Sequence, residues 1–465
     1  MSKHKERPNI IVILTDDQGA WAVGCAGNPD VKTPNIDRLA ASGVRFSNFF
    51  CTSPVCSPAR ASLLTGKMPS QHGIHDWLDT KTKSETEIEF LDGHIGYTDI
   101  LADNGYVCGL SGKWHMGHSG KPQKGFSHWY AHEKGGGPYY GAPMIKHGER
   151  VEEEGYITDL ITDDGLAFIE KQAKADAPFY LNVNYTAPHS PWINQHPQEY
   201  VDMYDESILD AHPKNPEHPW STTNVSDNHF ENLQGYFASI TAMDANVGRI
   251  IDKVESLGLR ENTLICFLSD NGLNFGQHGI WGKGNGTFPQ NMFDTSVKVP
   301  AIMSHPGYIQ ENKVSDSLIS GYDFKPTLLD YVGLKSNEDL PGQSFLSELK
   351  HGVNTERRDH VVIFDEYGPV RMIRTRDWKY IHRYPYGPHE LYHLAEDPGE
   401  ERNVVDEPKH HEIQEELKGD LDAWFVKHSD PELDGSREAV TGAGQRGRAG
   451  IKGKGKDVYS KWPKK

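Results

Sequence analysis

The chain has 465 residues, with 48 Lys+Arg against 66 Asp+Glu and a formal charge of −18. That balance repels phosphate backbones and argues against nucleic acid as a partner. The 17 Phe, 20 Tyr and 10 Trp spread along the sequence exclude disorder for most of it. No apolar run reaches the roughly 20 residues of a membrane span. The first such run, Ile10 to Leu14, is too short for a signal-peptide core. As written, the sequence reads as cytoplasmic, or as periplasmic or secreted where a leader has been removed.

In chain order, Asn9 to Leu14 is a continuous apolar strand ending in Thr15-Asp16-Asp17-Gln18-Gly19. Thr33 to Ala40 reads as a helix with Thr33 as N-cap, Pro34 at the first helical position and Gly43 beyond its end. A strand over Val44 to Phe50 leads to Cys51-Thr52-Ser53-Pro54-Val55-Cys56-Ser57-Pro58-Ala59-Arg60. There Pro58 suits a helix start, and Gly66 closes the short helix that follows. Further strands are expected at Val107 to Leu110, Phe179 to Tyr185, Thr263 to Leu268 and Val299 to Met303. Helices are expected over Ile157 to Lys174, Phe230 to Leu257 and Phe324 to Val332. Strands separated by helices predict an α/β fold with a large, mainly parallel sheet sandwiched by helices.

This α/β domain is assigned to residues 1–354. A smaller α+β subdomain follows over 355–434, with short strands at Val361 to Phe364, Val370 to Thr375 and Trp378 to Arg383 and a helix over Glu412 to Val426. Residues 435–465 hold nine Lys/Arg against two Asp/Glu with repeated Gly, and are expected to form an extended or flexible arm. The odd number and wide scatter of Cys25, Cys51, Cys56, Cys108 and Cys266 fit neither a disulfide framework nor a zinc ribbon. All but Cys56 read as buried small hydrophobes.

Polar clusters fall at strand ends. Asp16-Asp17 follows the first strand, Lys113 and His115 follow Val107 to Leu110, His189 follows Phe179 to Tyr185, and Asp270-Asn271 follows Thr263 to Leu268. Ligands of open α/β sheets bind beyond the carboxyl ends of the strands, so these clusters are candidates for one site. Each alone has a plainer reading as a cap, turn or solvated charge; their joint placement favours the site. Asp16, Asp17, Asp270 and Asn271 offer oxygen ligands suited to a hard cation, Ca²⁺ ahead of Mg²⁺ or Mn²⁺. Lys113, Lys283 and Arg60 can hold an anion's oxygens. His115 and His189 can move protons near neutral pH. Setting the three cations against the three acids, a bound divalent ion leaves the site at about +2, which points to a small anionic group.

Cys56-Ser57-Pro58-Ala59-Arg60 has the form C-x-P-x-R and is followed by Ala61-Ser62-Leu63-Leu64-Thr65-Gly66. Further matching stretches are Leu14 to Asp17, Thr33 to Leu39, Gly112 to His115, Ala187 to His189 and Ser269 to Gly272. Together they make the sequence resemble the type I sulfatases of the alkaline phosphatase superfamily, particularly bacterial carbohydrate sulfatases, from Arg7 to about Asp406.

The resemblance implies that a formylglycine-generating enzyme oxidises Cys56 to formylglycine (3-oxoalanine). The hydrated aldehyde would ligate the metal together with Asp16, Asp17, Asp270 and Asn271, and would attack sulfur. It further implies that Arg60 hydrogen-bonds the diol and that Lys113, His189, Lys283 and His278 meet the sulfate. His189 and Lys283 would help protonate the leaving oxygen, and His115 would take the proton that releases sulfate. Lys67 stands where the family often has Arg. The implied activity is sulfuric ester hydrolysis, on a small sulfated saccharide.

A phosphonate monoester or phosphodiester hydrolase of the same superfamily is the alternative, and a non-catalytic sulfate-binding relative the remote one. The acidic body favours exo action on short saccharides. The opposing possibility is a basic track for polymer formed by Arg371, Arg374, Arg376, Lys379 and Arg383. His382 to His389, rich in aromatics and histidine, reads as a surface hairpin or as a sugar contact. Oligomeric state is left open by the sequence.

Overall fold

Along β1 (Asn9–Thr15), alternate side chains enter opposite cores: Ile10, Val12 and Leu14 join one, Ile11 and Ile13 the other. A strand apolar on both faces belongs inside a helix-covered parallel sheet, and the computed structural model places it there. The structure describes residues 7–79, 88–209, 212–213, 215–222, 228–352 and 365–461. The strands are β2 (Val44–Phe50), β3 (Val107–Lys113), β4 (Phe126–His132), β5 (Ala142–Lys146), β6 (Glu149–Glu153), β7 (Phe179–Asn184), β8 (Thr263–Ser269), β9 (Asn274–Phe275), β10 (Trp281–Gly282), β11 (Lys298–Ser304), β12 (Lys313–Ser315) and β13 (Ile319–Ser320).

The large sheet has the order β12-β2-β11-β8-β1-β7-β3-β4-β5-β6, with β13 also on β2. The centre, β8-β1-β7-β3-β4, is parallel. β11 runs antiparallel to both neighbours, and β5 and β6 extend the far edge antiparallel. The expected mainly parallel sheet is thus present, and β4 to β6 are additions that the sequence reading did not contain. The carboxyl ends of β1, β2, β3, β7 and β8 share one edge.

Helices cover both faces. Ile157–Gln172 and His229–Ser256 pack with α1 (Pro34–Ala41) on one side, and α2 (Cys56–Thr65) lies on the other. Two helix starts differ from expectation. Thr33 does not cap α1. Its hydroxyl accepts from Gly24 N–H and donates to Asp37, while the Asp244 carboxylate accepts from the N–H groups of Asn35 and Ile36 at the helix N-terminus. α2 begins at Cys56, two residues before Pro58, and ends at Gly66, whose φ of 69° suits glycine.

The second sheet, β14 (Asp365–Glu366), β15 (Val370–Arg374), β16 (Trp378–Arg383) and β17 (Glu390–His393), is antiparallel. Leu417, Leu421 and Phe425 of the helix His411–His428 pack on it with Ile373, Tyr380 and Leu391. The strand expected at Val361 to Phe364 lies outside the described residues.

The stretch expected as a free arm is held instead. Gln445 is fully buried, Val458 and Tyr459 are each 9% exposed, and Gln445 bridges both Leu78 and Tyr459. Its glycines let the chain lie close along its neighbours, so the composition marked tight packing, not freedom. No helix among the described residues is long and apolar enough to cross a membrane.

Buried histidines give the fold an acid-labile character. Burial lowers His132 to about 4 and His196 to about 3, and they are 1% and 8% exposed. An unfolded chain protonates these groups near pH 6.5, before the folded chain does. Stability is therefore retained above that pH and lost as pH falls towards 4, by about 1.4 kcal/mol per unit for each histidine. Urea midpoints at pH 4.5 are expected below those at pH 7, and His196→Asn should flatten the slope by about one proton.

Candidate active site

At the shared strand edge, Asp16 and Asp17 leave β1, Lys113 ends β3, His115 lies two residues beyond it, His189 follows β7, and Asp270-Asn271 follow β8. Lys113 is thus the last residue of its strand, where the sequence reading placed it just after. β2 delivers Cys56 as the first residue of α2, whose ten residues are all buried. Asp17 and His115 take left-handed φ values of 64° and 51°, uncommon for non-glycine residues and frequent where a site fixes its side chains.

The Cys56 thiol sits 3.4 Å from Asp16 Oδ1 and 3.8 Å from Asp17 Oδ1. Lys283 Nζ reaches Cys56 Sγ at 2.9 Å and Asp17 Oδ1 at 2.6 Å. Lys113 Nζ donates to Asp16 Oδ2 at 2.6 Å, and Arg60 Nε to Asp270 Oδ2 at 2.8 Å. Asp270 Oδ1 accepts from the backbone N–H groups of Asp17 (3.1 Å) and Asn271 (2.8 Å). Asn271 Nδ2 donates to Asp17 Oδ1 at 2.8 Å. Side-chain exposure runs from 0–1% for Asp16, Arg60, Lys113 and Asp270 on the floor to 11% for Lys283 and 24% for His189 at the mouth.

The two histidines differ in orientation. His115 Nε2 faces the Leu78 carbonyl at 3.1 Å and so carries the proton. His115 Nδ1 is buried without a hydrogen-bond partner among the described residues. Burial, then the neighbouring Lys113 charge, hold this imidazole well below its usual range, leaving it neutral. His189 Nδ1 donates to the Ser190 carbonyl at 2.6 Å, which leaves Nε2 on the site side, 3.7 Å from Asp17 Oδ2.

Burial raises the Cys56 thiol to about 12, and the Asp16 charge adds to it. Burial alone would lower Arg60 and Lys283. Asp270 and Asp16 outweigh it for Arg60, and Asp17, with Asp16 and Asp270, for Lys283, so both stay charged.

Carboxylate oxygens of Asp16, Asp17 and Asp270 lie within 4.8 Å of one another, as do Asp16, Cys56 and His189 ligand atoms. Asn271 Oδ1 is buried beside them without a partner among the described residues. An orphaned amide oxygen next to three buried carboxylates fits a hard cation.

His278, expected to meet the sulfate, makes none of these contacts among the described residues. Its ring stacks on Phe293 with centroids 3.8 Å apart, and its electrostatic neighbours are Lys379, His218, Asp294 and Asp397. The sequence reading also missed Lys134-Gly135-Gly136-Gly137. A Cβ on Gly135 would overlap the His115 ring, and one on Gly136 would come within 3.0 Å of His189. Three consecutive glycines beyond β4 are the signal that a backbone must approach something closely here.

The proposed basic track is absent. Arg371 pairs with Asp434, Arg374 and Lys379 with Asp294, and Arg383 with Glu390; all four are at most 6% exposed. Arg376 is exposed and pairs with Asp316. Arg374 and Lys379 join the small sheet to the body through Asp294, and Arg383 does so through the Gln290 carbonyl, instead of meeting solvent. His382 stacks on His389 and hydrogen-bonds Tyr380 at the turn of the small sheet, so that segment is a hairpin.

The sulfatase family profile matches residues 8–334. The chain belongs to the sulfatase family. This sulfatase is a hydrolase of sulfate esters, with the alkaline-phosphatase-like fold that the sequence led us to expect. A second profile, described as N-sulphoglucosamine sulphohydrolase, C-terminal, covers residues 276–427. An ulvan-active sulfatase of Formosa agariphila is 32% identical over 446 residues, 91% of this chain and 82% of its own. The N-acetylglucosamine-6-O-sulfatase of Bacteroides thetaiotaomicron is 27% identical over 524 residues, 95% and 90% of the two chains. A solved structure in complex with its substrate D-glucosamine-2-N,6-O-disulfate shares the fold, with a TM-score of 0.78 at 24% identity over 93% of this chain and 100% of that one. Sulfatases generally use a formylglycine and a divalent metal, and the acidic cluster of this sulfatase is a candidate for holding such an ion.

Proposed function

We propose that this sulfatase removes sulfate from a small sulfated carbohydrate by exo action, with Cys56 oxidised to formylglycine by a formylglycine-generating enzyme. The observation that carries the reading is Cys56 at the start of α2, its sulfur within 3.8 Å of two buried aspartates and 2.9 Å from Lys283. A helix N-terminus flanked by Lys113, Lys283 and Arg60 suits a sulfate.

Asp16, Asp17, Asp270 and Asn271 would hold one divalent ion, Ca²⁺ by its preference for an all-oxygen set. Bound there, it supplies positive charge to the sulfate and acidifies the nucleophile. Formylglycine supplies the nucleophilic oxygen. Lys113 and Lys283 orient sulfate oxygens, and Arg60 holds the nucleophile's side. His189, when its ring carries a second proton on Nε2 at the mouth, would deliver that proton to the leaving oxygen and keep the one on Nδ1. His115 accepts the proton at Nδ1 when sulfate is released, its other nitrogen being engaged by Leu78.

The alternative is phosphonate monoester or phosphodiester hydrolysis. Comparing kcat/KM on 4-nitrophenyl sulfate and on an aryl phosphonate decides between them. The sulfate is expected to be favoured by at least tenfold, and a preference for the phosphonate overturns the proposal.

Exo action is supported by the pairing of the expected track residues, which leaves no run of free cations among them to guide a polymer. Oligosaccharides are expected to lose sulfate from the terminal residue. Release from internal positions of intact polymer, weakening as salt rises, would contradict this.

A further inference from the structure

Residues 73–79 lie beside the reaction centre without belonging to a long sheet or helix, yet their backbone N–H groups are all paired. Two of those pairs reach the site. His115 Nε2 donates to the Leu78 carbonyl, and Leu78 N–H donates to Ser57 Oγ, next to Cys56, both at 3.1 Å. Many of the remaining partners come from the chain's end. Gln445 N–H donates to the Trp77 carbonyl at 2.7 Å, and Asp79 N–H to the Gln445 carbonyl at 2.9 Å. Gln445 Oε1 accepts from the N–H groups of His75 (2.8 Å) and Asp76 (3.3 Å). Its Nε2 donates to the carbonyls of Gly73 (2.9 Å) and Gly447 (2.8 Å). On either side, Gly444 N–H meets Asp76 Oδ2 at 3.0 Å, and the Arg446 guanidinium meets Asp79 Oδ2 at 3.2 Å.

One fully buried glutamine therefore satisfies both ends of a seven-residue loop. The same strap touches the opposite wall of the site. The Gly442 carbonyl accepts from Trp77 Nε1 at 3.1 Å and from Asn285 Nδ2 at 3.0 Å, two residues after Lys283.

We propose that the C-terminal strap, through Gln445, is a positioning element of the reaction centre: it sets residues 75–79 so that the Leu78 carbonyl holds His115 in its working orientation. Gln445 touches no reacting group. It acts through Leu78, and an error of about 1 Å in such a group can cost two orders of magnitude in rate. The proposal rests on the role given to His115 above.

The test is a double-mutant cycle on 4-nitrophenyl sulfate, with folding checked by thermal melting and Cys56 conversion by peptide mass. Gln445→Met keeps the side chain's length and removes its four hydrogen bonds. It is expected to lower kcat at least tenfold while KM changes less than threefold. In a His115→Ala background the same change should cost less than twofold, because the group it positions is gone. A loss of the same factor in both backgrounds, or no loss in the parent, overturns the proposal. Should Gln445→Met fail to fold, Arg446→Ala takes its place, with a several-fold loss expected to vanish in the His115→Ala background. His115→Ala retaining full kcat would instead overturn the role of His115 itself.

Discussion

Cys56→Ala protein is expected to fold and to lose activity by on the order of 10⁴-fold or more, the loss typical of removing a nucleophile. The side chain is buried, at 2% exposure, but Cys→Ala removes a single sulfur atom, so the packing lost is small. Active parent enzyme should yield a peptide spanning residue 56 with the mass of formylglycine in place of cysteine. Full turnover by protein whose Cys56 is an unmodified thiol would sink the mechanism. So would an active alanine variant.

Asp270→Ala is expected to lose metal, activity and stability together. Asp270 accepts from Arg60 Nε, Asp17 N–H and Asn271 N–H. Its guanidinium partner is 1% exposed, and Asp16, its other acid neighbour, stands at 3.9 Å. Breaking a buried pair by removing one partner costs about 3–5 kcal/mol, so the melting temperature should fall by several degrees. Asp270→Asn keeps an acceptor at the same place. It should recover part of the stability but neither the ion nor kcat, which separates the metal role from the fold. Metal analysis should find about one Ca²⁺ per parent chain, and substoichiometric amounts in both variants. Chelation should abolish activity and Ca²⁺ restore it. Stoichiometric zinc with full activity would count against the assignment.

Much of the site was legible because a parallel sheet gathers the ends of its strands. Asp16, His189 and Asp270 are far apart in sequence, but each follows an apolar run of strand length, and β1, β7 and β8 are adjacent. Periodicity locates such runs well. What it does not carry is pairing. Arg371, Arg374, Lys379 and Arg383 read as a surface stripe on a strand pair, but their acids come from other elements, Asp294 and Asp434 among them. Nor does sequence proximity fix direction: His278 lies five residues from Lys283 yet faces Phe293. The strap was misread for a related reason. Gly-rich, basic composition describes a chain without a core of its own, and says nothing of a core that it completes.

The depth of α2 also sets an order of events for the chain's life. Cys56 to Arg60 form the first turns of a helix with every residue buried, and Arg60 is clamped to Asp270. Another enzyme's active site would need this stretch drawn out and extended, which means dismantling the clamp and unseating the helix. On the proposed mechanism, oxidation of Cys56 would therefore have to precede its docking against the sheet. The active fraction of any preparation would then be settled during synthesis, and supplying the oxidising enzyme to finished protein should rescue none of the remainder unless that protein is first unfolded.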